Sequence, residues 1–124
     1  MPKIKVLVAD DSPTQLSVMT QPFLDKYDVI TAKDGAEALE KTYSEKPALA
    51  VLDVIMPKYN GFQVCRKIKK NEELKAIKII LLTSKSQDSD KYWGMKQGAD
   101  AYVTKPFDSQ ELLSIAIKLL EERS

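Results

Sequence analysis

Short apolar runs alternate with helix-patterned segments five times along the 124 residues, and few architectures accommodate that rhythm. Ile4-Lys5-Val6-Leu7-Val8-Ala9 is β-branched and apolar, and Asp28-Val29-Ile30-Thr31-Ala32 is a shorter run of the same kind. Ala48-Leu49-Ala50-Val51-Leu52 runs directly into Asp53, and the segments from Ile77 to Thr83 and from Ala101 to Lys105 complete the set. Unbroken apolar runs of this length, bounded by turn residues, belong to strands covered on both faces. Strands that alternate with helices form a parallel sheet with helices on either side and right-handed crossovers. The expected class is therefore α/β, a doubly wound (βα)5 domain with a five-stranded parallel sheet. Function in such sheets collects just outside the carboxyl ends of the strands.

The intervening segments carry helix signals. Ser12-Pro13 offers a capping hydroxyl followed by proline at the first helical position, and Leu16, Met19 and Phe23 follow at helical spacing. Pro22 lacks an N–H and crowds the carbonyl four residues back, so this helix should kink or break near residues 20–22. Asp34 with Glu37 resembles a capping box, Ala36, Leu39 and Tyr43 share one face, and Pro47 stops that helix. Gly61 closes the loop after Pro57, and Phe62, Cys65 and Ile68 form the third apolar face. The charged stretch from Lys67 to Lys75 reads as a solvated face. The polar stretch 84–90 opens a fourth helix through Tyr92, Trp93 and Met95, with Gly98 at its C-terminal end. Tyr92 and Trp93 are expected to pack inward, the alternative being that one of them is exposed as a binding anchor. Asp108 or Ser109 caps the last helix, whose seven apolar residues between Leu112 and Leu120 cover about 200° of the helical wheel, wider than a one-sided surface helix needs.

Composition narrows the function. Nineteen basic residues face eighteen acidic ones, for a net charge of +1, so no electrostatic footprint for nucleic acid or anionic membrane follows. No apolar run approaches the ~18 residues of a membrane span, and strand pattern begins by Ile4, which leaves no room for a signal peptide. One cysteine, Cys65, makes no internal disulfide, fits a reducing cytoplasm and reads as a small buried hydrophobe. The absence of histidine removes histidine-based acid–base catalysis and most zinc sites.

The strand ends carry the chemistry. Asp10 and Asp11 follow the first strand, Asp53 the third, Thr83 the fourth and Lys105 the fifth, and parallel strands bring all of them to one edge. Like charges about 4 Å apart repel by about 4 kcal/mol at an effective dielectric of ~20. Carboxylates gathered against that repulsion call for a cation, and hard oxygen donors without histidine favour Mg2+ with a phosphate oxygen among its ligands. Lys105 supplies a point charge suited to a phosphoryl group, and the Thr83 hydroxyl can donate to one of its oxygens.

With these residues in place, the chain resembles the receiver domains of two-component response regulators. The resemblance rests on the acidic pair in VADDSPT, the D-x-x-M-P-x-x-x-G run from Asp53 to Gly61, LLTSK around Thr83 and TKPF around Lys105. It covers essentially residues 1–124 as a single receiver domain, and it implies the flavodoxin-like strand order 2-1-3-4-5 of the family's chemotaxis regulator. DKYWGMKQGADAYVTKP and DDSPT are most similar to stand-alone regulators of twitching motility.

The resemblance implies a phosphorylation-activated signalling switch in the cytoplasm, without turnover of a diffusible substrate. Asp53 would accept a phosphoryl group from a sensor histidine kinase or a histidine phosphotransfer domain. Asp11 and Asp53 would ligate Mg2+ directly, Asp10 through water, and Ile55 through its main-chain carbonyl. Lys105 would pair with the phosphoryl oxygens, Pro106 would follow a cis peptide, and Thr83 with Tyr102 would form the switch toward a downstream protein target. That target would meet the face of the fourth helix, fifth strand and fifth helix, to which the wide apolar arc of the last helix contributes unless the helix is simply deeply seated. A monomer or a weak phosphorylation-dependent dimer is implied, with no nucleic-acid binding by this chain and no membrane insertion. In the resembled family the residues two beyond the acceptor and two beyond the hydroxyl flank the path of the attacking water. Here Ile55 offers no group to orient that water, and Lys85 would contact the phosphoryl group. Both would lengthen its lifetime. Three other readings compete. One is the receiver portion of a longer DNA-binding regulator, although the start at Met1 and the charged tail Glu121-Glu122-Arg123-Ser124 suit a complete protein. A phosphatase of the aspartyl-phosphate type would need a second acid where Ile55 stands. A flavin-binding protein would need a Gly/Ser/Thr-rich phosphate loop in place of Asp10-Asp11.

Overall fold

The computed structural model describes residues 3–84 and 88–122. Five strands, β1 (Lys5–Ala9), β2 (Asp28–Ala32), β3 (Leu49–Asp53), β4 (Lys78–Thr83) and β5 (Ala101–Thr104), form one parallel sheet in the order β2-β1-β3-β4-β5. The helices are α1 (Pro13–Thr20), α2 (Gly35–Glu45), α3 (Gly61–Lys69), α4 (Asp88–Lys96) and α5 (Ser109–Glu122). β3 lies at the centre, bonded to β1 with Val8 opposite Val51 and to β4 with Val51 opposite Ile80.

Successive residues of a strand point to opposite faces, and the core divides accordingly. Leu7, Ala9, Ala50, Leu52, Ile79 and Leu81 face a layer completed by Leu39 of α2 and Val64, Cys65 and Ile68 of α3. Val6, Val8, Leu49, Val51, Ile80 and Leu82 face the other, completed by Met19, Phe23, Leu112 and Ala116. All five residues of β3 are buried, which is why its sequence shows no polar alternation.

Helix ends follow the local chemistry. Ser12 Oγ accepts from the Gln15 N–H at 3.3 Å, and α1 stops at Thr20, where Gln21–Phe23 tightens into a single 3-10 turn containing Pro22. Asp34 Oδ1 accepts from the Glu37 N–H at 2.7 Å, while the Glu37 carboxylate reaches back to the Lys33 N–H at 2.9 Å, one residue short of a reciprocal box. α3 has the full box: Asn60 and Gln63 exchange side-chain bonds with each other's backbone N–H at 2.9 and 2.8 Å. Gly98 sits at φ +100° beyond α4, and Asp108 Oδ1 accepts from the Gln110 N–H at 2.8 Å to start α5. α5 is deeply seated: Leu112, Ala116, Leu119 and Leu120 are buried and Leu113, Ile115 and Ile117 pack at their margins.

Three expectations fail. Tyr92 and Trp93 are 63% and 52% exposed, because the inward face of α4 is taken by Gly94, whose missing side chain lets the helix lie close on the sheet. Tyr43 is also exposed, because the buried face of α2 is made by Gly35, Ala38, Leu39 and Thr42. The Lys67–Lys75 stretch is not a solvated face throughout, since Leu74 is buried and Lys69 turns inward. The Lys69 ammonium donates to the Ile77 carbonyl at 2.7 Å and to Asp100 Oδ2 at 2.9 Å, and the same oxygen accepts the Ile79 N–H at 2.8 Å. Asp100 thereby ties the end of α3 to the starts of β4 and β5. Asp100→Ala leaves the Ile79 N–H without its acceptor and the Lys69 ammonium with backbone carbonyls alone, and should cost about 1–3 kcal/mol. Urea unfolding of the two proteins measures this directly, and a loss confined to a few tenths would show the tie to be dispensable.

Candidate functional site

The carboxyl edge of the sheet gathers Asp10, Asp11, Asp53, Thr83 and Lys105. β1 delivers Asp10 buried and Asp11 exposed, because adjacent residues leaving a strand diverge. The Asp10 N–H donates to the Ala32 carbonyl at 3.1 Å, and its Oδ1 accepts from the Ser12 N–H at 3.0 Å, so the carboxylate is fixed from both sides. Asp53 is the last residue of β3. The loop beyond it is pinned where the Val54 N–H reaches the Leu82 carbonyl at 3.2 Å and the Gly61 N–H reaches the Val54 carbonyl at 2.9 Å. A Cβ on Gly61 would lie 2.6 Å from the Asp53 carbonyl oxygen, so only glycine allows α3 to start this close behind the site.

One carboxylate oxygen from each of Asp10, Asp11 and Asp53 lies within 4.8 Å of the others. The Lys105 ammonium sits 3.4 Å from Asp10 Oδ2 and 3.5 Å from Asp53 Oδ2, bridging the two buried acids. One ammonium does not balance them. Burial first, then the charge of Asp10, pushes the Asp53 carboxyl up to about 6 against the opposing pull of Lys105. A cluster of hard oxygens in which ionisation is resisted in this way is suited to a divalent cation with oxygen preference.

The other predicted residues surround this group. Thr83 is fully buried at the end of β4, and its carbonyl accepts the Lys105 N–H at 2.7 Å. The Lys105–Pro106 peptide is cis. Ile55 is 56% exposed, and its N–H lies 3.4 Å from Asp53 Oδ1, a long contact. Tyr102 is on β5, short of this edge, and packs partly buried against the α3 and α4 side, where burial, with a lesser push from the Asp90 charge, raises its hydroxyl above the ordinary phenol range. A Cβ on Gly94 would meet the Tyr102 ring at 2.9 Å, Leu81 at 3.1 Å and Phe62 at 3.2 Å, so the ring occupies room that glycine leaves. Lys85 lies outside the described residues. Cys65 stays apart from the site, buried under α3, with its thiol pushed up to about 12 by burial. Gly61 is marked in the sequence by its place in the D-x-x-M-P-x-x-x-G run, whereas the supporting roles of Gly94 and the Asn60–Gln63 box emerge only in the folded chain. The N-x-x-Q spacing before an apolar face is the one sequence signal for the box.

These features define a class, a flavodoxin-like α/β domain with a lysine-braced acidic site at its carboxyl edge. The chain belongs to the response regulator receiver domain family, whose sequence pattern matches residues 6–117. It is 40% identical over 111 residues to Protein PilH of Pseudomonas aeruginosa, covering 88% of this chain and 91% of that one. It is 42% identical over 122 residues to the alkaline phosphatase synthesis transcriptional regulatory protein PhoP of Bacillus subtilis, covering 97% of this chain but only 49% of the relative. The BeF3-activated receiver domain of DrrB, a Thermotoga maritima response regulator, superposes with a TM-score of 0.85 at 33% identity over 97% of this chain and 99% of that one. The chain is thus a receiver domain of two-component signalling.

The raised Asp53 carboxyl has a measurable consequence. Its folded value near 6 exceeds the ordinary 3.8, so the folded state holds this proton more tightly than the unfolded chain does. Metal-free protein should therefore lose stability as pH rises from about 4 to about 6 through this group, with the penalty complete above that window. Asp53→Asn removes the penalty: its melting temperature in chelator should match wild type near pH 4 and exceed it near pH 7. Thermal melts across this range check the crossing, and a lower melting temperature for the Asn variant at neutral pH would contradict it.

Proposed function

We propose that Asp53 is the phosphoryl acceptor of a signalling switch, and the placement of its carboxylate beside Lys105, Asp10 and Asp11 is the observation that carries this reading. A carboxylate oxygen of Asp53 attacks phosphorus as the P–N bond of the donor's phosphohistidine breaks, giving an acyl phosphate and a free imidazole on the partner. This chain has no histidine, so the imidazole belongs to a sensor histidine kinase or a histidine phosphotransfer domain. Asp10, Asp11 and Asp53, with the Ile55 main-chain carbonyl, would hold Mg2+, which supplies charge neutralisation for the phosphoryl oxygens. Lys105, now bridging two carboxylates, turns its ammonium to the incoming oxygens, and the protein's part is to position groups and balance charge. The similar DrrB receiver is described as BeF3-activated, which supports activation of such a domain by a phosphoryl-like group.

Thr83 and Tyr102 would carry the change outward. The buried hydroxyl moves toward the phosphoryl oxygens, and the Tyr102 ring moves inward behind it, remodelling the α4, β5 and α5 face for a downstream protein target. Residues 1–124 act as one receiver domain in the cytoplasm, as a monomer or a weak phosphorylation-dependent dimer, without turnover of a diffusible substrate. Similarity to PilH along nearly its whole length favours a protein-binding regulator of the twitching-motility kind. Similarity to half of PhoP favours a second reading, the receiver part of a longer transcriptional regulator.

The test is intact-mass spectrometry after exposure to acetyl phosphate and Mg2+. One phosphoryl group should be gained, and both Asp53→Asn and chelation should abolish the gain. A phosphoryl signal that survives the substitution overturns the assignment. Ile55, more than half exposed above the site and without a polar side-chain atom, leaves water unoriented. The acyl phosphate of the purified protein should therefore persist for minutes or longer and decay several-fold faster in Ile55→Asn, followed by the same mass measurement. Loss within seconds in the wild type would refute this.

A further inference from the structure

α3 turns one full stripe of its surface outward: Gln63, Arg66, Lys67 and Lys70, spaced i, i+3, i+4, i+7. On one side the stripe borders a groove of about 520 Å³ against Tyr43 and Asn71, and on the other a groove of about 330 Å³ against Trp93, Lys96 and Gln97 of the α4 segment. No carboxylate lines either groove among the described residues, and none pairs with Arg66, Lys67, Lys70 or Lys96. Lys67 lies over the Tyr59 ring at 5.1 Å and Lys96 over the Tyr92 ring at 5.7 Å, so two of the four cations are held in place. The favourable field at the end of a helix explains basic residues in the last turn of α3. It does not explain Lys96 on a different helix, nor why two large aromatics, Tyr43 and Trp93, stand about half exposed at the outer walls.

We infer that this double groove is a docking surface for an acidic polypeptide segment, laid across α3 between Tyr43 and Trp93. Two interhelical spacings of 8–10 Å separate α2 from α4, so the surface spans about 20 Å, too long for a small ligand and matched to a few turns of helix. Unpaired cations with aromatic walls at either end suit a segment of carboxylates carrying apolar anchors. Nucleic acid fits less well, because four cations on a chain nearly neutral at +1 make a small footprint for a phosphate backbone, whereas the half-exposed Tyr43 and Trp93 offer walls for apolar anchors. The surface lies on α3 and the neighbouring α4 segment, and no residue of the acidic edge lines it, so docking here does not compete with phosphoryl transfer and stands whether or not the Asp53 reading holds.

The experiment selects phage-displayed random peptides of about 16 residues, some 24 Å as helix, against the immobilised full chain, and then titrates the winning peptide by anisotropy. The winners should be acidic and contain an aromatic or large aliphatic residue. Arg66→Ala with Lys70→Ala should weaken them at least tenfold while circular dichroism and phosphorylation by acetyl phosphate stay unchanged. Binding should also shift the emission of Trp93, the sole tryptophan of the chain. Winners without excess acid, equal binding to the double variant, or an unmoved Trp93 signal would each overturn the proposal. Tighter binding of a DNA duplex of about 20 base pairs would give the surface to nucleic acid, and self-association lost in the double variant would give it to a second copy of this chain.

Discussion

The architecture depends on the complete burial of β3. A strand hydrogen-bonded on both edges and covered on both faces has no place for a polar side chain except at its end, and Asp53 is that end. Its neighbours obey the same constraint. Ala9 and Leu52 are fully buried one residue before Asp10 and Asp53, and Thr83 closes β4 in the same way. The acidic edge follows from the requirement that three central strands be apolar throughout and reach the surface together.

At that edge the balance of charge is incomplete. Lys105 reaches two carboxylates at once but cannot neutralise both, and burial acts in the same direction as the repulsion between them. The domain therefore holds a site whose ionised form is strained and whose relief must come from outside, by a proton or a cation. Rigid support makes the strain persist: Asp10 is fastened by Ser12 and Ala32, and the loop beyond Asp53 is fastened to Leu82 and Gly61. Stability is concentrated elsewhere, in the two apolar layers and in the Lys69–Asp100 tie on the far side.

The parallel sheet and the gathering of Asp10, Asp11, Asp53 and Lys105 were legible because each rests on a local pattern, whereas the strand order came only with the resemblance to receiver domains. Apolar runs mark strands, and polar residues at their ends share an edge whenever the strands are parallel. Pro22 and Gly98 acted through backbone chemistry that any context preserves. The outward turn of the α4 aromatics was not legible, for a physical reason. Helical spacing locates a face but not its direction, and the residue that α4 lays on the sheet is Gly94, which no hydrophobicity pattern can flag. Lys69 is equally opaque, because a lysine within a charged stretch gives no sign that its acceptors, Asp100 and the Ile77 carbonyl, come from residues thirty-one and eight positions away.

Gly94 also bears on how such a domain can be adjusted. The space that Gly94 leaves is already filled by the Tyr102 ring, which an added carbon there would meet at 2.9 Å. A methyl at this position would press on the Tyr102 ring, Leu81 and Phe62 together, so how closely α4 lies on the sheet is set by a residue that takes no part in the acidic cluster.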